Sequence, residues 1–349
     1  MKGERQQDQI QEEEDRPFGF GAEERALGAE LCRAASVASA AAEFIAADEL
    51  ENDQELYQGD YLKRGREYST FLVLHEGLGE RLFREDTGTM PGGPCLIRSE
   101  EWLQAPELAE LYNRWLSETD EAVGERMLQR IYYRLRASAS ALLESAEGMW
   151  SAVTLLQPPE LAASPYRMAV LQDVQLEALF AAVAERHRHG RDGRLDLLAP
   201  YPASASEFAR LREFIEDVAE QTLGHADAAA CRIGALLAPA TRQAAAAEIG
   251  RIADFVVIDG AAGEAAPEDA AGFARAAGDV LAAVRRVKPA AVVLAAGAPA
   301  AAALADLYRI GMSGIFCSAA QRTEALLRAA CLTWIARQDH VDTAAGGWL

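Results

Sequence analysis

The chain has no apolar run approaching the roughly 20 residues that a membrane-spanning helix requires, which sets aside an integral membrane role. Cysteine is sparse. Cys32, Cys95, Cys231, Cys317 and Cys331 stand far apart with no CxxC pair, and the five histidines do not gather beside them. A zinc site built from neighbouring soft ligands is therefore excluded, and no metal ligand set is assigned. An odd, dispersed count fits buried thiols in a reducing cytoplasm. Basic charge is also short, with 34 Lys and Arg against 54 Asp and Glu, a net charge of -20. Such a surface repels duplex nucleic acid and anionic membranes, so neither is expected as a partner. Met1 to Asp15 is charged and Gln/Glu-rich, unlike a signal peptide. A cytoplasmic location is expected.

What is present is enough apolar sequence for a large core, 50% of 349 residues. Residues 1–22 lack apolar periodicity and read as a disordered acidic tail. Residues 23–67 read as an alanine-rich helical extension that ends in a charged connector. From residue 68 to 349 a rhythm takes over, in which short apolar runs alternate with longer stretches of helical period. The runs are Thr70–Leu74, Cys95–Ile97, Ala152–Leu156, Leu195–Ala199, Arg232–Leu237, Phe255–Ile258, Ala291–Leu294 and Gly314–Phe316.

The clearest intervening helix is Ser204–Leu223. Ser204 and Glu207 form a capping-box pattern, and Phe208, Leu211, Phe214, Ile215 and Val218 share one face. Gly224 supplies its stop, and Pro267 and Pro299 sit at expected first turns. The crossover from Glu76 to Pro94 is glycine-rich, and the one from Glu101 to Met149 is long enough for two helices. Eight strands separated by helices allow a closed barrel or an open doubly wound sheet. Strand count and length favour an α/β fold of the (β/α)8 TIM-barrel type.

Several segments carry a resemblance in one order. They are Gly93-Pro-Cys-Leu-Ile-Arg-Ser-Glu100, Val153-Thr-Leu-Leu-Gln-Pro-Pro159, Asp173-Val-Gln-Leu-Glu-Ala-Leu-Phe180 and the stretch from Leu197 to Phe208. Arg232-Ile-Gly-Ala-Leu-Leu237, Ala253-Asp-Phe-Val256 and Ile310-Gly-Met-Ser-Gly-Ile-Phe-Cys-Ser318 complete the set. Together, from about Ser69 to Trp334, they resemble the C-terminal phosphoenolpyruvate-binding barrel of the PEP-utilising enzymes. That family includes pyruvate phosphate dikinase, phosphoenolpyruvate synthase and enzyme I of the sugar phosphotransferase system. The resemblance implies a barrel that holds phosphoenolpyruvate and magnesium at the C-terminal strand ends and dimerises through this domain.

Phosphoryl transfer from an enol needs cations on the phosphate, magnesium bridging phosphate and enolate, and an acid for the enol carbon. Arg98 matches the first of the family's two arginines. Thr154 stands at the second, and Gln157 replaces an aspartate. The magnesium-binding glutamate falls on Ala238 or Pro239, and an Asn-Asp pair falls on Ala261-Ala262. Leu294-Ala-Ala-Gly297 lacks the acid cysteine. No catalytic residue is assigned, and Arg98 alone is kept as a ligand-binding candidate, to be weighed against an ion pair with Glu100 or Glu101.

Other residues have plainer readings. His75 ends the first strand, facing the mouth or a loop with its polar atoms satisfied. His187 and His189, with Arg186, Arg188 and Arg191, form a solvated helix end. Cys317 reads as a small buried hydrophobe. Gly92-Gly93 lacks the spacing of a phosphate loop.

The leading expectation is a non-catalytic, pseudoenzyme relative of this barrel acting in binding or assembly, as a homodimer and without a cofactor. An alternative is an active phosphotransferase or lyase with magnesium held by rebuilt carboxylates such as Glu160, Asp259 and Glu264. A second alternative is a sensor in which Arg98 holds a phosphoenolpyruvate-like anion.

Overall fold

The computed structural model describes residues 71–77, 95–146, 151–191, 193–224, 231–262 and 269–345, with side chains to residue 335. The predicted tail, the helical extension, most of the first crossover with Gly92-Gly93, and Pro267 lie outside the described residues.

All eight predicted runs form strands. They are β1 (Leu72–Glu76), β2 (Cys95–Ile97), β3 (Ser151–Thr154), β4 (Leu195–Pro200), β5 (Ile233–Leu237), β6 (Phe255–Asp259), β7 (Val292–Ala296) and β8 (Gly314–Cys317). Each pairs in parallel with the next, and β8 returns to β1 through Leu72–Gly314 and His75–Cys317, so the sheet is a closed barrel. The open-sheet option is thereby removed. The strands read as almost unbroken apolar runs because both faces are covered. Leu74, Leu96, Ala152, Leu198, Leu236, Val257, Leu294 and Phe316 fill the interior. The alternate residues, among them Ile97, Val153, Leu197, Ala235, Ile258 and Val293, meet the helices.

Among the described residues helices follow β2 to β8, in the order of a (β/α)8 barrel. The second crossover holds three rather than the expected two: α1 (Ser99–Leu103), α2 (Pro106–Ser117) and α3 (Glu121–Ser145). Pro106 opens α2, and Asp120 starts α3 afresh by accepting from the backbone N–H of Ala122 at 2.9 Å and Val123 at 3.2 Å. Next come α4 (Pro165–Arg188), α5 (Ala205–Leu223), α6 (Gln243–Ile252), α7 (Ala270–Val287), α8 (Ala298–Ala302), α9 (Leu304–Arg309) and α10 (Ala319–Ala345). On α5 the Ser204 cap is present, and Glu207 reaches back one residue beyond it. Ser204 Oγ accepts from Glu207 N at 3.2 Å, the Glu207 carboxylate accepts from Ala203 N at 2.9 Å, and Gly224 ends the helix at φ 84°.

The floor of the barrel, at the N-terminal strand ends, is shaped by Gly314, where a Cβ would lie 2.6 Å from that of Leu72, and by Gly234. A Cβ on Gly234 would lie 2.6 Å from the Phe255 ring, so only glycine leaves that ring room. Arg232 stands 5.6 Å from the centroid of the same ring and binds Asp196 at 2.6 Å. Stacked charge and filled space seal this end.

Candidate functional site

Residues at the C-terminal strand ends meet over the other opening. Glu76 ends β1, Arg98 follows β2, Tyr201 follows β4, Asp259 ends β6 and Gly297 follows β7. Because strand side chains alternate, Leu74 and Glu76 point inward together, as do Leu96 and Arg98, and Val257 and Asp259. The sequence reading placed Arg98 at this mouth, and it is there.

Its partners differ from those expected. Arg98 Nε and Nη2 donate to Glu76 Oε1 at 3.0 and 2.7 Å, while Nη1 and Nη2 donate to Asp259 at 2.7 and 2.9 Å. Glu100 instead accepts from the backbone N–H of Gln157 at 3.0 Å and from the Thr154 hydroxyl at 3.4 Å. Asp259 also accepts from the Tyr201 hydroxyl and from Ala261 N, the latter at 2.9 Å. Gly297 N donates to Glu76 Oε2 at 2.7 Å. The side chains of Asp259, Glu76 and Arg98 are 0%, 14% and 22% exposed.

Burial alone would raise the Asp259 pKa, but the hydrogen bonds and charge of Arg98 outweigh it and hold the carboxyl below its ordinary 3.8. Burial pushes the Tyr201 phenol up, and its bond to Asp259 pushes it further. Tyr201 has a φ of 44°, a left-handed backbone unusual for an aromatic residue, and this aims its ring at the cluster. Gly297 can turn at φ 89° and present its N–H to Glu76 because it has no side chain.

A second network braces the mouth from outside. Ser99 N donates to Thr154 Oγ1 at 2.9 Å, and the Ser99 hydroxyl donates to Thr154 O. Gln175 Nε2 reaches Ser99 Oγ at 2.7 Å and Thr154 O at 2.9 Å, while its Oε1 accepts from Leu156 N at 2.7 Å. Thr154 is thus a buried structural residue linking β3 to α1 and α4.

The remaining candidates scatter. Gln157 and Glu160 are exposed beyond β3, and Glu264 lies outside the described residues. His187 closes the last turn of α4 and His189 caps it, as expected. Cys317 is buried and donates to Leu74 O at 3.5 Å. His75 departs from its reading. It lies one residue before Glu76 and so points away from the mouth, is 1% exposed, and neither ring nitrogen makes a hydrogen bond of normal geometry.

Among the described residues the mouth offers magnesium no open carboxylate. Asp259 accepts four hydrogen bonds, which use its lone-pair directions. Among the described residues no three His, Cys, Asp or Glu side chains converge.

The fold and site thus define a (β/α)8 barrel with Arg98, Glu76 and Asp259 ion-paired at its mouth. No family model and no curated protein matches the chain. Among solved structures, similarity is found to Haloferax volcanii malate synthase at 10% identity and TM-score 0.41, covering 75% of this chain and 70% of that one. An HpcH/HpaI aldolase/citrate lyase family protein from Burkholderia cenocepacia matches at 15% identity and TM-score 0.41, covering 82% and 98%. A structure described as native KDPGal matches at 14% identity and TM-score 0.33, covering 77% and 95%. These likenesses are too distant to transfer chemistry.

The expected kinship is corrected: no family model matches the chain, no PEP-utilising domain is among these three structures, and the assignment to that family is not supported. The seven segments that carried it are largely buried strands, whose apolar residues any parallel barrel requires.

Proposed function

We propose that the chain is a non-catalytic (β/α)8 barrel that acts in binding or assembly, its mouth held shut by Arg98. The observation carrying this reading is the engagement of Arg98 by both Glu76 and Asp259. Two carboxylates against one guanidinium leave a formal surplus of one negative charge. An anion approaching Arg98 must displace a carboxylate and meet that surplus, so the guanidinium serves structure before ligand. Asp259, saturated with donors and held ionised, has no free position from which to act as a base or a metal ligand. The homodimer expected from the sequence remains part of this proposal, with a scattering mass of twice 37.6 kDa as its mark.

The test is proton exchange at the methyl group of pyruvate in deuterated buffer, followed by NMR with and without magnesium. Exchange at the buffer rate is expected. Magnesium-dependent exchange that disappears in Asp259→Asn would overturn the reading and make the mouth an enolising site.

A further inference from the structure

The outer face of the barrel carries a row that the mouth does not use. In the strand register His75 of β1 stands beside Cys317 of β8 on one side and Cys95 of β2 on the other, and Cys95 stands beside Ser151 of β3. Leu74 and Glu76 point into the barrel, so His75 points outward with this row, into the layer where α10 lies against β1. Cys95 and Cys317 are buried, and each has a polar contact: Cys95 Sγ lies 3.8 Å from Ser151 Oγ, and Cys317 Sγ donates to Leu74 O at 3.5 Å. His75 is the exception, with both Nδ1 and Nε2 buried and without a hydrogen bond of normal geometry, beside a Gly77 backbone group that weakly favours the charged ring.

A neutral imidazole tolerates such a place poorly, because an unmet buried polar atom carries a desolvation penalty. A charged one fares worse. Among the described residues, the titratable or charged groups whose fields act on this row are Arg322 of α10, the thiols of Cys95 and Cys317, and Glu76. Arg322 repels an imidazolium. Burial raises both thiols to about 11, so neither supplies a counter-charge near neutral pH. Glu76 follows His75 in the chain but lies on the opposite face, bound to Arg98 and Gly297.

We infer that His75 is a proton-operated release for the first strand: protonation drives it out of the outer layer, frees the end of β1, and withdraws Glu76 from the mouth. The coupling is covalent, since His75 and Glu76 are consecutive residues facing opposite ways. This inference rests on the closed-mouth reading and gives that mouth a regulator. Its direction follows from the linkage. Burial, then the charge of Arg322, outweigh the Gly77 backbone and hold the folded His75 below its ordinary 6.5. The released strand binds a proton near 6.5 and the closed one resists it. Release therefore stays flat above pH 6.5 and grows as pH falls from there towards the folded value, by up to about tenfold per pH unit.

Amide hydrogen exchange on the whole chain from pH 7.5 to 5, with each rate divided by the intrinsic rate at that pH, tests this. Gly77 N–H, bonded to Leu96 O at 2.8 Å, reports the seam between β1 and β2. Gly297 N–H, bonded to Glu76, reports the mouth. In the wild type both normalised rates should rise below pH 6.5, by up to about tenfold per pH unit, and in His75→Leu both should stay flat. Unchanged rates in the wild type, an equal rise in the variant, or a response at Gly77 without one at Gly297 would each overturn the inference. Should the leucine variant fail to fold, His75→Gln takes its place. The His75 ring resonance of the wild type gives a reading without mutation, and titration at or above 6.5 overturns the inference. If Gly297 is unprotected even at pH 7.5, the closed-mouth reading itself fails, while Gly77 still reports on His75.

Discussion

At each end of the barrel an arginine meets an aspartate, yet the two ends are balanced differently. At the floor Arg232 binds Asp196 at 2.6 Å beside the Phe255 ring, and this ion pair joins one cation to one acid. At the mouth Arg98 is shared between Glu76 and Asp259, leaving one carboxylate in excess. That excess is eased by three donors without charge, the Tyr201 hydroxyl and the backbone N–H groups of Gly297 and Ala261. Among the described residues of the mouth cluster both acids depend on Arg98, so the mouth is the more vulnerable of the two.

Removing the two arginines in turn is the strongest way to break this comparison. Arg98→Ala leaves Asp259 wholly buried and Glu76 nearly so, both without a counter-charge, and is expected to cost about 3–5 kcal/mol in urea unfolding. Arg232 is 34% exposed, so solvent screens its bond to Asp196 and Arg232→Ala should cost less, about 1–3 kcal/mol. Equal losses would refute the asymmetry. A smaller effect, about 1.5–3 kcal/mol, is expected for Tyr201→Phe, which removes a hydrogen bond to a charged acceptor while leaving the ring. A loss no greater than that of an exposed tyrosine such as Tyr166 would show that the phenol does not hold the mouth. The floor is sharpened by Gly234→Ala, whose methyl group meets Phe255 and should cost about 1–3 kcal/mol. Adding Phe255→Leu should recover part of that cost. Simple additivity of the two changes would mean that they are not in contact.

The barrel was legible because its strands, covered on both faces, stand out as short apolar runs between helices, and Ser204 and Gly224 mark helix ends by local chemistry. Arg98 was legible as a strand-end cation. Its partners were not, because proximity in sequence pointed to Glu100 and Glu101, whereas the barrel supplies Asp259 from 161 residues away. Glu76 was missed although it followed the first run by only two residues, since the run was drawn to end at Leu74. The strand continues to Glu76, and alternation from Leu74 would have turned His75 outward and the glutamate inward. Asp196 carried a signal that went unused, a charged residue inside the run Leu195–Ala199. The kinship was misjudged for a different reason. Strand segments match across unrelated barrels on hydrophobicity alone, and the strand ends, where chemistry resides, had already departed from the family pattern.

The pairing of β1 with β8 has a consequence for the history of each molecule. Leu74 accepts from Cys317, 243 residues away, and Glu76 accepts from Gly297, 221 residues away. Neither bond can form until almost the whole barrel has left the ribosome, so β1 must wait with an unpaired edge while seven strands accumulate beside it. A chain stopped before Gly314 would not be a smaller barrel. It would be a curved sheet with exposed edges on β1 and β7, open to pairing with its neighbours.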